Sequence, residues 1–487
     1  MKSLKVNAAL NVVKQLSSIL FPLITIPYIT RVLQAENYGK ISFVSSVIAY
    51  FALFASLGIQ TYAIRNGASM REDTKKLTRF ASEAFTVNLG ATILSYILLI
   101  VTIILVPKFH DYIPLFIIFS TSIICTTIGA DWVNSIFEDF FVITVRTIAV
   151  QFVSLILMFL LVKTKEDYLV YAGIHVFAGS AAMLINAFYI RRYIHLRLVL
   201  ISIKTAWNHI QNILIFFSRQ IMISVYVSSD IIILGFLCGD TQVALYSIAM
   251  KIYSILSGLM YAVITVLMPR FANRIKSPKN LKVEGPHINQ VFDIFIYLSI
   301  PLASLVAVTS YSIVRFISGP QFEMAYKPLI ILMLAFLATV FSGLYSVSLI
   351  LPLHEEKYGL YVAVIAAVLN VALNLIFIPH YGYIAAAITT VLAEMVCAIL
   401  YWRKGRSYFH VSVHIHTVVS AIIESFIILV IAYIVSNFMN PGFFYIMIVS
   451  ALSGLIYLGI LYIFSRKFFM EFIVNDIFLK LKIKFKL

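Results

Sequence analysis

Apolar residues in this chain come in long unbroken blocks separated by short polar turns, and the blocks have the length of a membrane-crossing helix, about 20 residues. They fall at 8–33, 38–63, 80–106, 113–136, 141–162, 168–190, 209–237, 243–269, 288–317, 326–352, 358–379, 382–402, 417–437 and 442–465. The pattern predicts an all-α polytopic membrane protein with about fourteen transmembrane helices. Every connection assigned to the outer side is short, so no outer catalytic domain is expected.

Composition sharpens this. Of 487 residues, 61% are hydrophobic and 12% charged, against about 45–50% and 25% in soluble domains. That excludes a water-soluble enzyme and a disordered protein. The apolar excess runs from end to end, which argues against one anchor on a soluble body. Cys125, Cys238 and Cys397 lie far apart in or beside apolar runs and read as packing residues. No cleavable signal peptide is expected. The first block is too long, is broken by Pro22 and Pro27, and lacks a small-residue cleavage site.

The net charge is +16, from 37 basic and 21 acidic residues. In a soluble protein this would suggest nucleic acid; here it follows positive-inside bias, and no nucleic-acid partner is expected. Arg65, Arg71, Lys75, Lys76 and Arg79 share one loop, and Arg191, Arg192, Arg197 and Lys204 the next. Arg270, Arg274, Lys276, Lys279 and Lys282 follow, then Arg403, Lys404 and Arg406, then a basic tail from Arg466 to Lys486. The intervening loops hold only Lys108, Lys163, Lys165 and Lys327. The asymmetry places both termini on the cytoplasmic side of the membrane.

The chain also repeats itself. Shifted by 205 positions, Glu36–Arg65 falls on Thr241–Arg270, with Arg65 on Arg270 and Ser42 on Ser247. At an offset of 214, Tyr112, Pro114 and Leu115 fall on Tyr326, Pro328 and Leu329, and Gly129 on Gly343. Six helices appear twice, and six is even, so the halves are parallel repeats of the kind that bracket a transporter's substrate site. The expected organisation is an N-terminal lobe at 1–200, a C-terminal lobe at 201–406, and an appended helix pair with a basic tail at 407–487.

Ionisable groups at bilayer depth cost at least about 2.5–3.5 kcal/mol each, so they need partners, water or a role. Counting from the hairpin turns puts Asp131 level with Arg146, and Asp230 level with Lys251. Both pairs can neutralise themselves or take part in coupling. Arg219 has no level carboxylate on a neighbouring helix in sequence, at about 15 Å depth. Asn212, Arg219, Tyr226 and Asp230 share one helical face, and Ser247, Lys251, Ser254, Gly258, Tyr261 and Thr265 share another. Two polar stripes on consecutive helices suggest a water-accessible cavity, or helix–helix hydrogen bonding through small polar residues. Cations there favour an anionic substrate, and arginine suits phosphate. Glu394 and Glu424 are deep enough for a proton or sodium site, or for a neutral hydrogen-bonded carboxyl. Arg315 and Lys14 lie near helix ends and can snorkel. Pro22 and Pro27 form a hinge or a static kink.

No enzyme constellation is present: no phosphate-cradling glycine loop, no metal-spaced His/Cys set and no acidic pair near an outer surface. His410, His414 and His416 cluster in a basic loop and read as a solvated face.

Several segments resemble polysaccharide flippases of the Wzx type, within the multidrug/oligosaccharidyl-lipid/polysaccharide exporter superfamily. They are Pro27-Tyr28-Ile29-Thr30-Arg31 with Glu36-Asn37-Tyr38-Gly39, and Asp131-Trp132 with Glu138-Asp139-Phe140 and Ile143-Thr144-Val145-Arg146. A third is Asn370, Asn374 and Leu375 with Pro379, Gly382 and Ala385-Ala386-Ala387, where an alanine replaces the family's usual second glycine. The resemblance implies two MATE-like lobes forming a V and translocation of an undecaprenyl-diphosphate-linked oligosaccharide. It maps a cationic cavity onto Arg219 and Lys251, with Arg31, Arg65, Arg146 and Arg270 as weaker correspondences. It implies no cofactor, a coupling ion (H+ or Na+) or the membrane potential, membrane lipid contacts, and polymerase and chain-length machinery as partners. The last two helices resemble the pair appended in lipid flippases, where they pack a lobe or form a lipid-tail groove. The alternative is a cation-coupled multidrug exporter of the same superfamily.

Overall fold

A computed structural model of the chain describes the backbone over residues 4–274, 285–350, 353, 355–408 and 411–464. Side chains are described for most of these. Those of Lys14, Arg219 and Arg270 lie outside the described set, as do His410 and the basic positions 276–282 and 466–486.

The described elements are helical: α1 Leu4–Ser56, α2 Ile59–Ala68, α3 Thr74–Leu105, α4 Ile113–Gly129, α5 Trp132–Ile136, α6 Phe140–Leu161 and α7 Tyr168–Tyr189. Then follow α8 Ile203–Leu237, α9 Asp240–Arg274, α10 Gly285–Ser318, α11 Tyr326–Tyr345, α12 Glu356–Arg406, α13 Ile415–Ser436 and α14 Phe443–Phe464. No strand occurs among the described residues. Twelve helical segments are long and apolar enough to cross a membrane, and two of them, at 49 and 50 residues, exceed the length of one crossing. The surface fits a hydrocarbon surrounding. Along α3, Ile93, Leu94, Ile97, Ile100, Val101, Ile104 and Leu105 are all exposed.

The sequence separates two helices at 8–33 and 38–63; the structure joins them in α1 but breaks the helical backbone at Gln34 (φ 65°, ψ 174°). The helix runs on through Pro22 and Pro27, so the non-helical point falls at the glutamine and not at a proline. The second block also stops earlier than its hydropathy suggests. Leu57 and Gly58 take positive φ, a turn that apolarity does not signal, and α2 restarts beyond it carrying Arg65. The block at 113–136 likewise ends at Gly129, because Ala130 adopts φ 43° and Asp131 then leads into the short α5. In α12 the break is Gly382, at φ 55° and ψ −137°, a conformation that only glycine adopts at little cost.

Polar caps fix several ends. Asp73 accepts from the Lys76 amide at 3.0 Å, and Ser202 from the Thr205 amide at 3.2 Å, each satisfying a first-turn donor of α3 or α8.

The contacts divide the chain into two compact units, one of Met1–Ser247 with Ala363–Ala386, the other of Ile248–Val362 with Ala387–Leu487. In the first, α4 packs on α7, α6 on α7, and α1 on α3, α4, α6 and α8. One apolar cluster gathers Trp132, Val133 and Ile136 of α5 against Ala63, Leu77 and Ala81. In the second, α10 packs on α11 and α13, with α14 on both α10 and α13. Inside a bilayer such packing rests on close contact and hydrogen bonding, since lipid tails are as apolar as the side chains they replace.

Candidate functional site

The most densely bonded polar group of the first unit centres on Asp230 of α8, which is 1% exposed. The Tyr246 hydroxyl donates to its Oδ2 at 2.5 Å, and the Asn374 amide donates to its Oδ1. Asn374 also donates to Asn370 Oδ1 at 3.0 Å, and Ser229 donates to the same oxygen at 3.1 Å. Asn370 and Asn374, four residues apart on α12, are fully buried and share a helical face. This face explains the paired asparagines of the sequence. The spacing also allows Asp230 to pair with Lys251, but no such pair forms. Both carboxylate oxygens are taken by neutral donors, and Lys251 is exposed with no ion pair or hydrogen bond among the described residues.

A second group surrounds the α8–α9 turn at Gly239. The Tyr112 hydroxyl donates to both oxygens of Asp240, at 2.9 and 3.1 Å. Lys108 donates to the carbonyls of Gly235 and Phe236. Phe43 of α1 packs against Tyr112 and Phe236 with ring centroids 5.3 and 5.5 Å away. Gly39 lies so close to the Asp240 backbone that a Cβ would collide with it. The Tyr383 amide, just beyond the Gly382 break, donates to Gln242 Oε1 at 3.1 Å. Helices from early and late parts of the chain are thus stitched together around one turn.

The run from Asp131 to Arg146 forms a third group. Arg146 is buried and pairs with Asp131, while its Nε and Nη1 have no partner among the described residues. Glu138 pairs with Arg71 at 3.1 Å, and Asp139 accepts from Tyr189 and Tyr193 at 2.7 and 2.8 Å. Burial and these bonds push the Tyr193 phenol well above its usual range. Asn134 donates to Asn186, which donates on to the Gly129 carbonyl. Nearly every polar member of this run holds another part of the first unit in place.

In the second unit, Glu394 of α12 accepts from the Tyr253 hydroxyl at 3.2 Å, and Tyr253 lies 2.7 Å from Thr339 Oγ1. The Tyr261 ring rests on Gly343. Ser254 is exposed and bonds back to the Met250 carbonyl at 2.7 Å. Glu424 of α13 is fully buried.

The remaining predicted residues are scattered through this frame. Arg31 is exposed and donates to the Pro27 carbonyl at 3.0 Å. Arg65 is exposed. Asn212 is exposed and bonds to the Asn208 carbonyl, and Ser247 is buried in the first unit. Tyr226 is half-buried. Arg219 and Arg270 belong to α8 and α9, with side chains outside the described set.

Two features escape sequence reasoning. His209 of α8 bridges the Tyr62 hydroxyl at 2.8 Å and Glu83 at 3.2 Å, tying α8 to α2 and α3. A single histidine at the edge of an apolar block gives no sign of such partners. In the first unit an apolar groove of about 390 Å3 lies between Phe54, Leu57, Gly90, Leu94, Ile201 and Ile210.

Comparison with known proteins agrees with this architecture. A protein named "Putative O-antigen transporter" from Escherichia coli (strain K12) is 25% identical over 399 residues, covering 80% of this chain and 94% of that protein. One of the same name from Shigella dysenteriae is 25% identical over 263 residues, covering 52% and 63%. Among solved structures, the lipid II flippase MurJ in its inward closed conformation superposes with a TM-score of 0.76 at 17% identity, covering 95% of this chain and 99% of that one. An inward-facing multidrug resistance MATE family transporter gives 0.52 at 15% identity, covering 81% and 97%. The family described as polysaccharide biosynthesis protein matches residues 4–274. With more than half its length matched, the chain belongs to the polysaccharide biosynthesis protein family, and its fold is that of membrane transporters, not of an enzyme.

Proposed function

We propose that this chain is a lipid-linked oligosaccharide flippase. It moves an undecaprenyl-diphosphate-linked repeat unit from the cytoplasmic to the outer leaflet of the bacterial cytoplasmic membrane, by alternating access. The substrate class rests on the family and on relatives named as O-antigen transporters. The observation that carries the chemistry is Lys251. It is a cation within a candidate span, exposed, and without a partner among the described residues. An ammonium so placed is too costly to face hydrocarbon. This supports a watery path beside Lys251 and an anionic partner for it.

In this reading the diphosphate sits on Lys251 and Arg219, with Arg31, Arg65 and Arg270 along its path. The sugars are expected to meet the polar residues Asn212, Tyr226, Ser254 and Tyr261, and the prenyl tail stays in lipid. Arg146, held by Asp131, braces the first unit and does not touch substrate. The stitched region around Asp240 is the outer seal that must part for release. Fourteen spans follow if the two overlong helices each cross twice, reversing at Gln34 and Gly382. Both ends then lie in the cytoplasm, with lobes at 1–200 and 201–406, related as parallel repeats, and an appended segment at 407–487. Coupling by H+ or Na+ uses Asp230 and Glu394. The inside-negative potential adds about 2.3 kcal/mol per outward-moving negative charge per 100 mV. Polymerase and chain-length machinery receive the product.

Deletion with complementation tests this. Loss of surface polysaccharide, with lipid-linked sugar accumulating on the cytoplasmic side and rescue by wild type but not by Lys251→Ala, is the expected result. Normal polysaccharide combined with drug sensitivity would replace it with the multidrug exporter.

A further inference from the structure

A carboxyl buried with no hydrogen bond is rare in any protein. Inside a membrane it is expensive, and a leucine would pack better. Glu424 is such a group. It is 0% exposed, and both its oxygens lack a partner among the described residues. No described lysine, arginine or histidine pairs with it. It therefore braces nothing in the arrangement seen, which removes the usual structural reason for a buried acid.

Other polar groups of the same bundle share its condition. Tyr297 of α10, 4% exposed, has a hydroxyl without a partner, and so does Ser453 of α14, at 3%. Both Tyr297 and Tyr457 lie within electrostatic reach of Glu424, and their rings are 5.4 Å apart. On α13 itself, Ser420 one turn earlier donates to the Thr417 carbonyl at 3.0 Å and lies beside Tyr297. On α14, Tyr445, Val449, Ser453 and Tyr457 follow at intervals of four, which lines them on one face. Helices α10, α13 and α14 of the second unit thus bring the buried carboxyl within electrostatic reach of two tyrosines.

We infer that Glu424, with Tyr297 and Tyr457, forms a proton-binding site in the α10–α13–α14 bundle. The carboxylate takes a proton from hydronium and releases water; deprotonation is the reverse. An ionised carboxylate left unpaired here has no compensating charge, whereas the protonated form is a neutral donor for the waiting hydroxyl oxygens. When the carboxyl ionises, the hydroxyls of Tyr297 and Tyr457 can turn to donate to it. The site moves one proton with no change in the packing of apolar side chains. The inference extends the coupling part of the proposed transport cycle, and its test uses no transport.

Dicyclohexylcarbodiimide reacts with protonated carboxyls in apolar surroundings. The full-length protein in lipid nanodiscs, treated after equilibration over a series of pH values, should carry the label on Glu424 by mass spectrometry. Labelling should fall as pH rises, along a one-proton curve. Glu424→Gln should remove that label. Tyr297→Phe, which keeps the ring and the packing, should move the midpoint upward by about one pH unit, a tenfold change in proton affinity, because the ionised form loses a donor. Labelling independent of pH would show a permanently neutral structural carboxyl and overturn the proposal. No label at any pH would do the same, and so would protection by sodium in place of pH. Failure of the flippase reading with a normal titration would leave this site standing.

Discussion

The Tyr112 hydroxyl donates to both carboxylate oxygens of Asp240, joining the segment before α4 to the first turn of α9. If this region is the outer seal, Tyr112→Phe weakens it without disturbing the aromatic packing on Phe43. A hydrogen bond to a charged group contributes about 1.5–3 kcal/mol, so the open fraction should rise about tenfold or more. Cys238, at the end of α8, reports it. Its thiol is half-buried, and burial pushes its pKa up, with Lys108 opposing in part. Labelling by a membrane-impermeant maleimide added outside should be slow at neutral pH and quicken as pH rises. It should run about tenfold faster in Tyr112→Phe at every pH. Equal rates would remove this contact from the gate.

The Asp230 group predicts a coupled loss. Tyr246→Phe deletes a 2.5 Å bond to a fully buried carboxylate, and Asp230→Asn replaces an acceptor oxygen by a donor beside the Asn374 amide. Each should lower stability in detergent by about 1–3 kcal/mol. The double variant should lose clearly less than the sum, because the partners share one bond. Strict additivity would show that the two side chains do not meet.

How much of this was legible beforehand depends on what each residue touches. Helix type and extent follow from apolar block length, which the bilayer fixes, so α3, α6, α7, α13 and α14 lie close to their predicted ranges. The breaks at Gln34, Leu57–Gly58 and Ala130 were hidden. They are backbone turns inside apolar sequence, and hydropathy does not register φ. The Asp131–Arg146 pair was readable because both residues are equidistant from one hairpin turn. The same counting suggested Asp230 with Lys251 and failed. Depth along a helix says nothing about facing direction, and Asp230 faces Asn374 on α12, 144 residues away in sequence. His209 was invisible for the same reason: its partners Tyr62 and Glu83 belong to distant helices.

Arg146 separates a structural from a substrate-binding role. Its side chain is 5% exposed and that of its partner Asp131 18%. Arg146→Ala leaves a largely buried carboxylate unpaired and should cost about 3–5 kcal/mol, seen as poor folding yield and early thermal unfolding. Replacing both residues, as Asp131→Leu with Arg146→Met, removes the stranded charge and should recover most of that loss. If Arg146 only braces the unit, the double variant also regains polysaccharide export. Recovered folding with no export would return the arginine to the substrate path.

Lys251 predicts the opposite pattern. It is exposed and holds no partner among the described residues, so Lys251→Ala breaks no ion pair or hydrogen bond there and strands no charge. Stability should stay within about 0.5 kcal/mol of wild type, as for other substitutions away from bonded sites, while surface polysaccharide is lost. Lys251→Arg keeps the charge and should retain partial export. The shape of the cation matters more at Arg219, where a planar fork suits a diphosphate. Arg219→Lys should therefore lose more than Lys251→Arg does, even though both changes conserve charge. Export and unfolding temperature measured on the same preparations decide the matter. If Lys251→Ala exports normally with an unchanged unfolding temperature, the ammonium has no anion to hold, and the cationic pathway must run through other residues.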